Sequence, residues 1–181
     1  LQWLKFELCR EIVPDAHARL NAVRERFSEL PAEDAARLKQ DVDNLRVLAD
    51  IEAAIMAGDC RQAVSLLMSP QGRTIQLGAP WLRRVQDLLI TEAEKPREVR
   101  RVLADIVADA RTLQGIGGDA ETVNAIRRAF EGQVHREEAA LLSFFKSESR
   151  DRRRIRSAVG RFVEIVNEGK LCGWSVDNAA K

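Results

Sequence analysis

The stretch RDRRRIRSAVGRF, Arg150 to Phe162, places six arginines within thirteen residues. The chemistry open to such a run is oxyanion binding, because a guanidinium presents a planar fork of N–H donors to a phosphate or carboxylate. From Lys146 to Arg161 seven basic residues stand against two acidic ones, a local +5 in a chain of net charge +1, so the remaining residues sum to −4. On a helix at 100° per residue, Ile155, Ala158, Val159, Phe162 and Val166 form one apolar stripe expected to be core. Arg150, Arg153, Arg154 and Arg161 fall on the opposite side, with Arg152 and Arg156 flanking the stripe. Two readings follow. The four opposed arginines grip nucleic acid or an acidic peptide, or the arginines pair with neighbouring acids and sit in solvent. No aromatic residue alternates with them to stack bases, and Phe144 and Phe145 read as the core end of the preceding helix.

Other chemistry is thinly supplied. His17 and His135 are the two imidazoles, and neither lies near a cysteine or serine in a nucleophile motif. Glu131, His135 and Glu138 share a helical face at i, i+4 and i+7, which is half of a metal site or an ion-paired solvated face. The glycines of QGIGGD, Gln114 to Asp119, lack the preceding strand of a phosphate loop and the Lys-Ser/Thr pair of a Walker loop, so the stretch reads as a flexible link between helices. Cys9, Cys60 and Cys172 are odd in number and widely spaced, as reduced cysteines are. These residues point to no enzyme, no metal, no cofactor and no small-molecule substrate.

The elements that must carry these groups are helices. The chain has no Tyr, four Thr and no sustained period-2 alternation. Leu20, Val23, Phe27 and Leu30, and then Leu38, Val42, Leu45, Leu48, Ile51 and Ile55, keep helical spacing. Pro14, Pro31, Pro80 and Pro96 precede periodic runs as helix starts, while Gly58, Gly72, Gly115 and Gly169 mark ends. The spacing predicts helices over 1–12, 15–29, 32–57, 60–68, 80–94, 97–113, 120–146 and 150–168. Between them MSPQGRTIQLGAPW, Met68 to Trp81, is the longest irregular stretch, either a binding loop or a segment tucked under the hairpin.

The first predicted helix is apolar on two sides, with Leu1, Leu4, Leu8 and Ile12 along one and Trp3, Phe6 and Val13 along another. It needs cover on both: either it runs through the centre of the domain, or part of it packs on another chain or on the remainder of its own, and in that second case Trp3, Phe6 and Val13 are the candidate protein-interface residues. RVLADI occurs at Arg46 to Ile51 and again at Arg101 to Ile106, each copy followed by a Gly-Asp step and another helix. Each unit reads as an antiparallel hairpin, arising by duplication or by shared turn grammar.

AIMAGDCRQAVSLLM, then LGAPWLRRVQDLL, two longer helices and a closing Arg-rich helix resemble the C-terminal helical domain of the mRNA-decapping enhancer scaffolds. The resemblance spans about residues 37–168; the stretch after Leu67 departs from the pattern, and residues 1–36 have no counterpart in it. It implies a short α-solenoid of hairpins that recruits partner proteins and contributes to RNA-granule targeting.

The expectation is an all-α fold of antiparallel helical hairpins, packed as an irregular bundle or short α-solenoid. A single domain is expected, with N-terminal helices over 1–36, a hairpin body over 37–168 and a tail over 169–181. Its work would be protein interaction or assembly, with protein partners or self-association, and the alternative is nucleic-acid binding through the basic helix over 150–161. The composition, with 45% hydrophobic residues and balanced charge, and the lack of any apolar run of membrane-crossing length suit a soluble, intracellular protein, expected in the cytoplasm, without membrane contact. The opening Leu1 in place of Met suggests a piece of something longer.

Overall fold

Pro31 stands just ahead of a 26-residue helix, and its fixed φ and missing N–H suit that place. The structure, a computed structural model, describes residues 25, 31–75, 79–146 and 152–174. Within them seven helices and no strand occur: α1 (Ala32–Ala57), α2 (Cys60–Met68), α3 (Pro70–Thr74), α4 (Ala79–Glu94), α5 (Leu103–Gln114), α6 (Glu121–Lys146) and α7 (Arg152–Leu171). The fold is all-α. Trp3, Phe6 and Val13, and the helices expected over 1–12 and, apart from Glu25, 15–29, lie outside the described residues.

The chain divides between Trp81 and Leu82 into two compact units. In the first, α1 carries Glu33 and Asp34 in its opening turn, where the helix dipole favours acids. It buries Val42, Leu45 and Ile51 of the expected stripe, together with Ala49 and Ala54. Gly58 ends it at φ 70°, with the Gly58 N–H on the Ile55 carbonyl (3.0 Å) and the Asp59 N–H on the Ala54 carbonyl (2.9 Å). A Cβ at Gly58 would touch nothing, so the glycine is there for its left-handed backbone. The Asp59 carboxylate then accepts the Gln62 N–H at 2.9 Å and starts α2, which packs back on α1.

Two sequence expectations fail at the next step. Gly72 does not end a helix, and Met68 to Trp81 is not irregular throughout. Ser69 caps α3 by accepting the Gly72 N–H at 3.0 Å, with Pro70 in the first helical position. Gly72 is buried in that helix because the α2 carbonyls of Leu66 and Leu67 leave no room for a Cβ.

In the second unit α5 packs on α6 and α7, and those two pack on each other. The α5–α6 turn repeats the α1 ending: Gly117 at φ 96° gives its N–H to the Gln114 carbonyl, and the Gly118 N–H reaches the Leu113 carbonyl at 2.9 Å. Asp119 accepts the Glu121 N–H at 2.9 Å. The QGIGGD link is tied down, since the buried Gln86 donates to the Asp119 carbonyl at 3.0 Å. Both RVLADI copies therefore lead into Gly-Asp hairpins. The first copy lies wholly inside α1, whereas the second straddles a helix start, with Arg101 and Val102 outside α5.

The helix expected over 97–113 begins six residues later. Pro96 opens only a tight turn, its carbonyl taking the N–H groups of Val99 (3.0 Å) and Arg100 (3.1 Å). The chain is then held extended because the Arg101 N–H donates to the buried Glu92 carboxylate at 3.0 Å. Gly169 likewise ends nothing: it is buried inside α7, which runs on to Leu171 and turns at Gly173. The Trp174 N–H returns to the Gly169 carbonyl at 2.9 Å, and its indole lies 5.5 Å from the Phe130 ring, tilted by 45°. The packed body thus extends to Trp174, six residues into the expected tail.

Candidate partner-docking face on the last helix

Three strips run along α7, and each has a different environment. The buried strip is Ala158, Ile165 and Gly169, followed by Cys172 beyond the helix end. These are mostly small groups, so the helix backbone packs closely. Val159, expected in the core stripe, instead lies 38% exposed; Ile155, Phe162 and Val166 are only half-buried. The stripe read from sequence is wider than the surface the core covers.

The second strip is ionic. Arg100, whose side chain has no exposed surface, sets its two terminal nitrogens on the Glu168 oxygens at 2.7 and 3.3 Å. Arg97 pairs with Glu164 and approaches Glu168 at 3.5 Å. Arg161 reaches Glu137 of α6 at 3.4 Å and the Ser157 hydroxyl at 3.4 Å. Beside these pairs lies a cavity of about 220 Å³ lined in part by Pro96, Arg97, Gln133, Arg136, Arg161 and Ile165. Glu94, Glu98 and Glu137 also face it, so its three arginines meet three carboxylates and it has no strong anionic preference.

The floor of that strip is fixed by the α4–α5 turn. Gln133, buried on α6, donates to the carbonyls of Ala93 and Lys95, both at 2.8 Å, and so satisfies the open end of α4. Burial alone would push the Glu92 carboxyl up, but the Lys95 ammonium at 2.5 Å and the Arg101 N–H outweigh it and hold the group below its ordinary range. Burial, and then Glu168, push the Cys172 thiol up.

The third strip faces out on the side away from Glu164 and Glu168. Val159 and Val163, 38% and 48% exposed, sit between half-buried Ile155 and Val166 at 4-4-3 spacing. By helical rotation Arg152, Arg156 and Lys170, all exposed, border the same row. The acids of α7 are therefore engaged on one flank, and the other presents valines edged by positive charge.

Of the arginines singled out in the sequence, Arg150 lies outside the described residues. Arg153 and Arg154 are exposed at the start of α7 and take part in interactions, while Arg161 belongs to the α6–α7 seam. On α6, Glu131 pairs with Arg127 at 2.9 Å, and the His135 Nδ1 lies 3.6 Å from a Glu138 oxygen. Among the described residues no three His, Cys, Asp or Glu side chains are placed to hold a metal, and no helix is long and apolar enough to cross a membrane. Sequence reasoning missed Arg97, Arg100, Gln133 and Val163. The first two carry a faint signal, a basic i, i+3 pair after a proline, but their partners are 67 and 68 positions away.

No family model, curated protein or solved structure matches this chain.

Proposed function

We propose that this chain is a protein-interaction module whose working surface includes the outer face of α7. The observation that carries the reading is the exposed Val159–Val163 row beside a flank whose carboxylates are engaged by Arg97 and Arg100. Valines kept in water on a helix otherwise anchored by its core strip are a cost unless something covers them. The Gly-Asp hairpins, which resemble those expected of decapping-enhancer scaffolds, support a recruiting role.

The competing reading is nucleic-acid binding by the arginines of α7. Its support is the exposure of Arg152, Arg153, Arg154 and Arg156 within one and a half turns. Against it, Arg161 is engaged by Glu137, and no aromatic residue alternates with the arginines to offer a stacking platform.

Selection of a displayed peptide library on the folded chain decides between them. Enriched peptides that bind the wild type and lose binding to Val163→Asp are expected. A library that yields no binder, while labelled single-stranded RNA binds and is released by salt, would replace this reading with the second.

A further inference from the structure

We infer that the occupant of the α7 outer face is an acidic amphipathic helix of a partner protein; this rests on the protein-interaction reading and gives it a chemistry. The row Ile155, Val159, Val163 and Val166 follows the i±4 and i±3 ridge that helices use to pack on helices. It spans eleven residue steps, about 17 Å, which three turns of a partner helix match. The side chains are branched aliphatics of modest size, suited to interdigitate with leucines.

Charge selects among occupants. Arg152 and Arg156 border one end of the row and Lys170 lies beyond the other. The acids that would neutralise them on the same helix, Glu164 and Glu168, are turned to the opposite flank and engaged by Arg97 and Arg100. A second copy of α7 fits poorly in either direction. Antiparallel, its Lys170 would come against Arg152 and Arg156; parallel, arginine would meet arginine. A partner bearing Glu or Asp beside its apolar stripe meets both requirements, with leucines covering the valines and carboxylates reaching the Arg152 and Arg156 guanidinium groups. An anionic membrane would supply charge, but the row exposes two valines and no aromatic ring to enter the bilayer.

The test uses the whole chain and a fluorescein-labelled helical 18-residue peptide with leucines at i, i+3, i+4 and i+7 and glutamates alongside. A twin carries lysine at each glutamate position. Binding is read by anisotropy at low and physiological salt. The glutamate peptide should bind, more weakly as salt rises, and the lysine twin should not. Val163→Asp should abolish binding, and Arg152→Glu with Arg156→Glu should weaken the glutamate peptide by about tenfold while admitting the lysine twin. Circular dichroism of both variants confirms that they fold, which the exposure of all three positions favours.

Equal binding of the two peptides, or binding indifferent to the charge reversal, overturns the inference. So does a chain that ignores both peptides and instead sediments with phosphatidylserine vesicles. If the glutamate peptide fails while library-selected peptides of other charge still require Val163, the acidic partner is wrong and the interaction reading stands; if no peptide of any kind binds, both fall.

Discussion

Arg100 and Glu168 meet fork to fork from 68 positions apart, at 2.7 and 3.3 Å, with the arginine side chain wholly out of solvent. The pair anchors the turn after α4 to the last helix. It also fixes the rotation of α7, so that its carboxylates lie on one flank and Val159 and Val163 are left on another.

Breaking this pair on one side should be severe. Glu168→Gln leaves Arg100 buried without its counter-charge and is expected to cost about 3 kcal/mol in urea unfolding. Arg100→Met combined with Glu168→Leu should cost less than the single change. Equal costs for the single and double variants would mean that the pair is not the anchor.

Gln133→Leu keeps the bulk of the side chain and removes both donors to the Ala93 and Lys95 carbonyls. Two acceptors are left without their partner, so a loss of about 2 kcal/mol is expected by chemical denaturation. Amide exchange across 92–101 should quicken well before the rest of the unit.

The glycines separate two mechanisms. Gly58→Ala meets open space and bears only the left-handed backbone cost, about 1 kcal/mol. Gly72→Ala has an ordinary helical backbone but places its Cβ 2.7 Å from the Leu67 oxygen and closer still to that of Leu66. Thermal melts should show the larger drop for Gly72→Ala.

Acid should weaken the α4–α5 turn through Glu92. Its carboxyl sits below the ordinary 4.5 when folded, so the stability it gives is complete above the unfolded value and is lost as pH falls through the folded one. Unfolding followed by circular dichroism should show an acid limb below about pH 4.5 that flattens in Glu92→Gln.

The helices were legible wherever apolar periodicity met a local start or stop. The 32–57 and 60–68 ranges coincide with α1 and α2 because Pro31, Gly58 and Asp59 act through bonds within a few residues. The Ser69-Pro70 start of α3 is equally local, but Gly72 within it carries the pattern of a helix end. The late start of α5 was not legible, since Glu92 holds the Arg101 N–H from nine residues back and Arg100 answers to Glu168. The same holds for the outer face of α7. The arginines near 150–161 drew notice as a cluster, but which flank of α7 stays positive depends on Arg97 and Arg100, whose effect appears only when α7 is packed beside them.

The central claim is that the outer valines of α7 meet protein. Methyl NMR of valine-labelled chain, titrated in parallel with a library-selected peptide and with single-stranded RNA, tests it most directly. Shifts concentrated at Val159 and Val163 with the peptide, and none there with RNA, are predicted. Silent valines under peptide, with RNA perturbing the start of α7, would contradict the account.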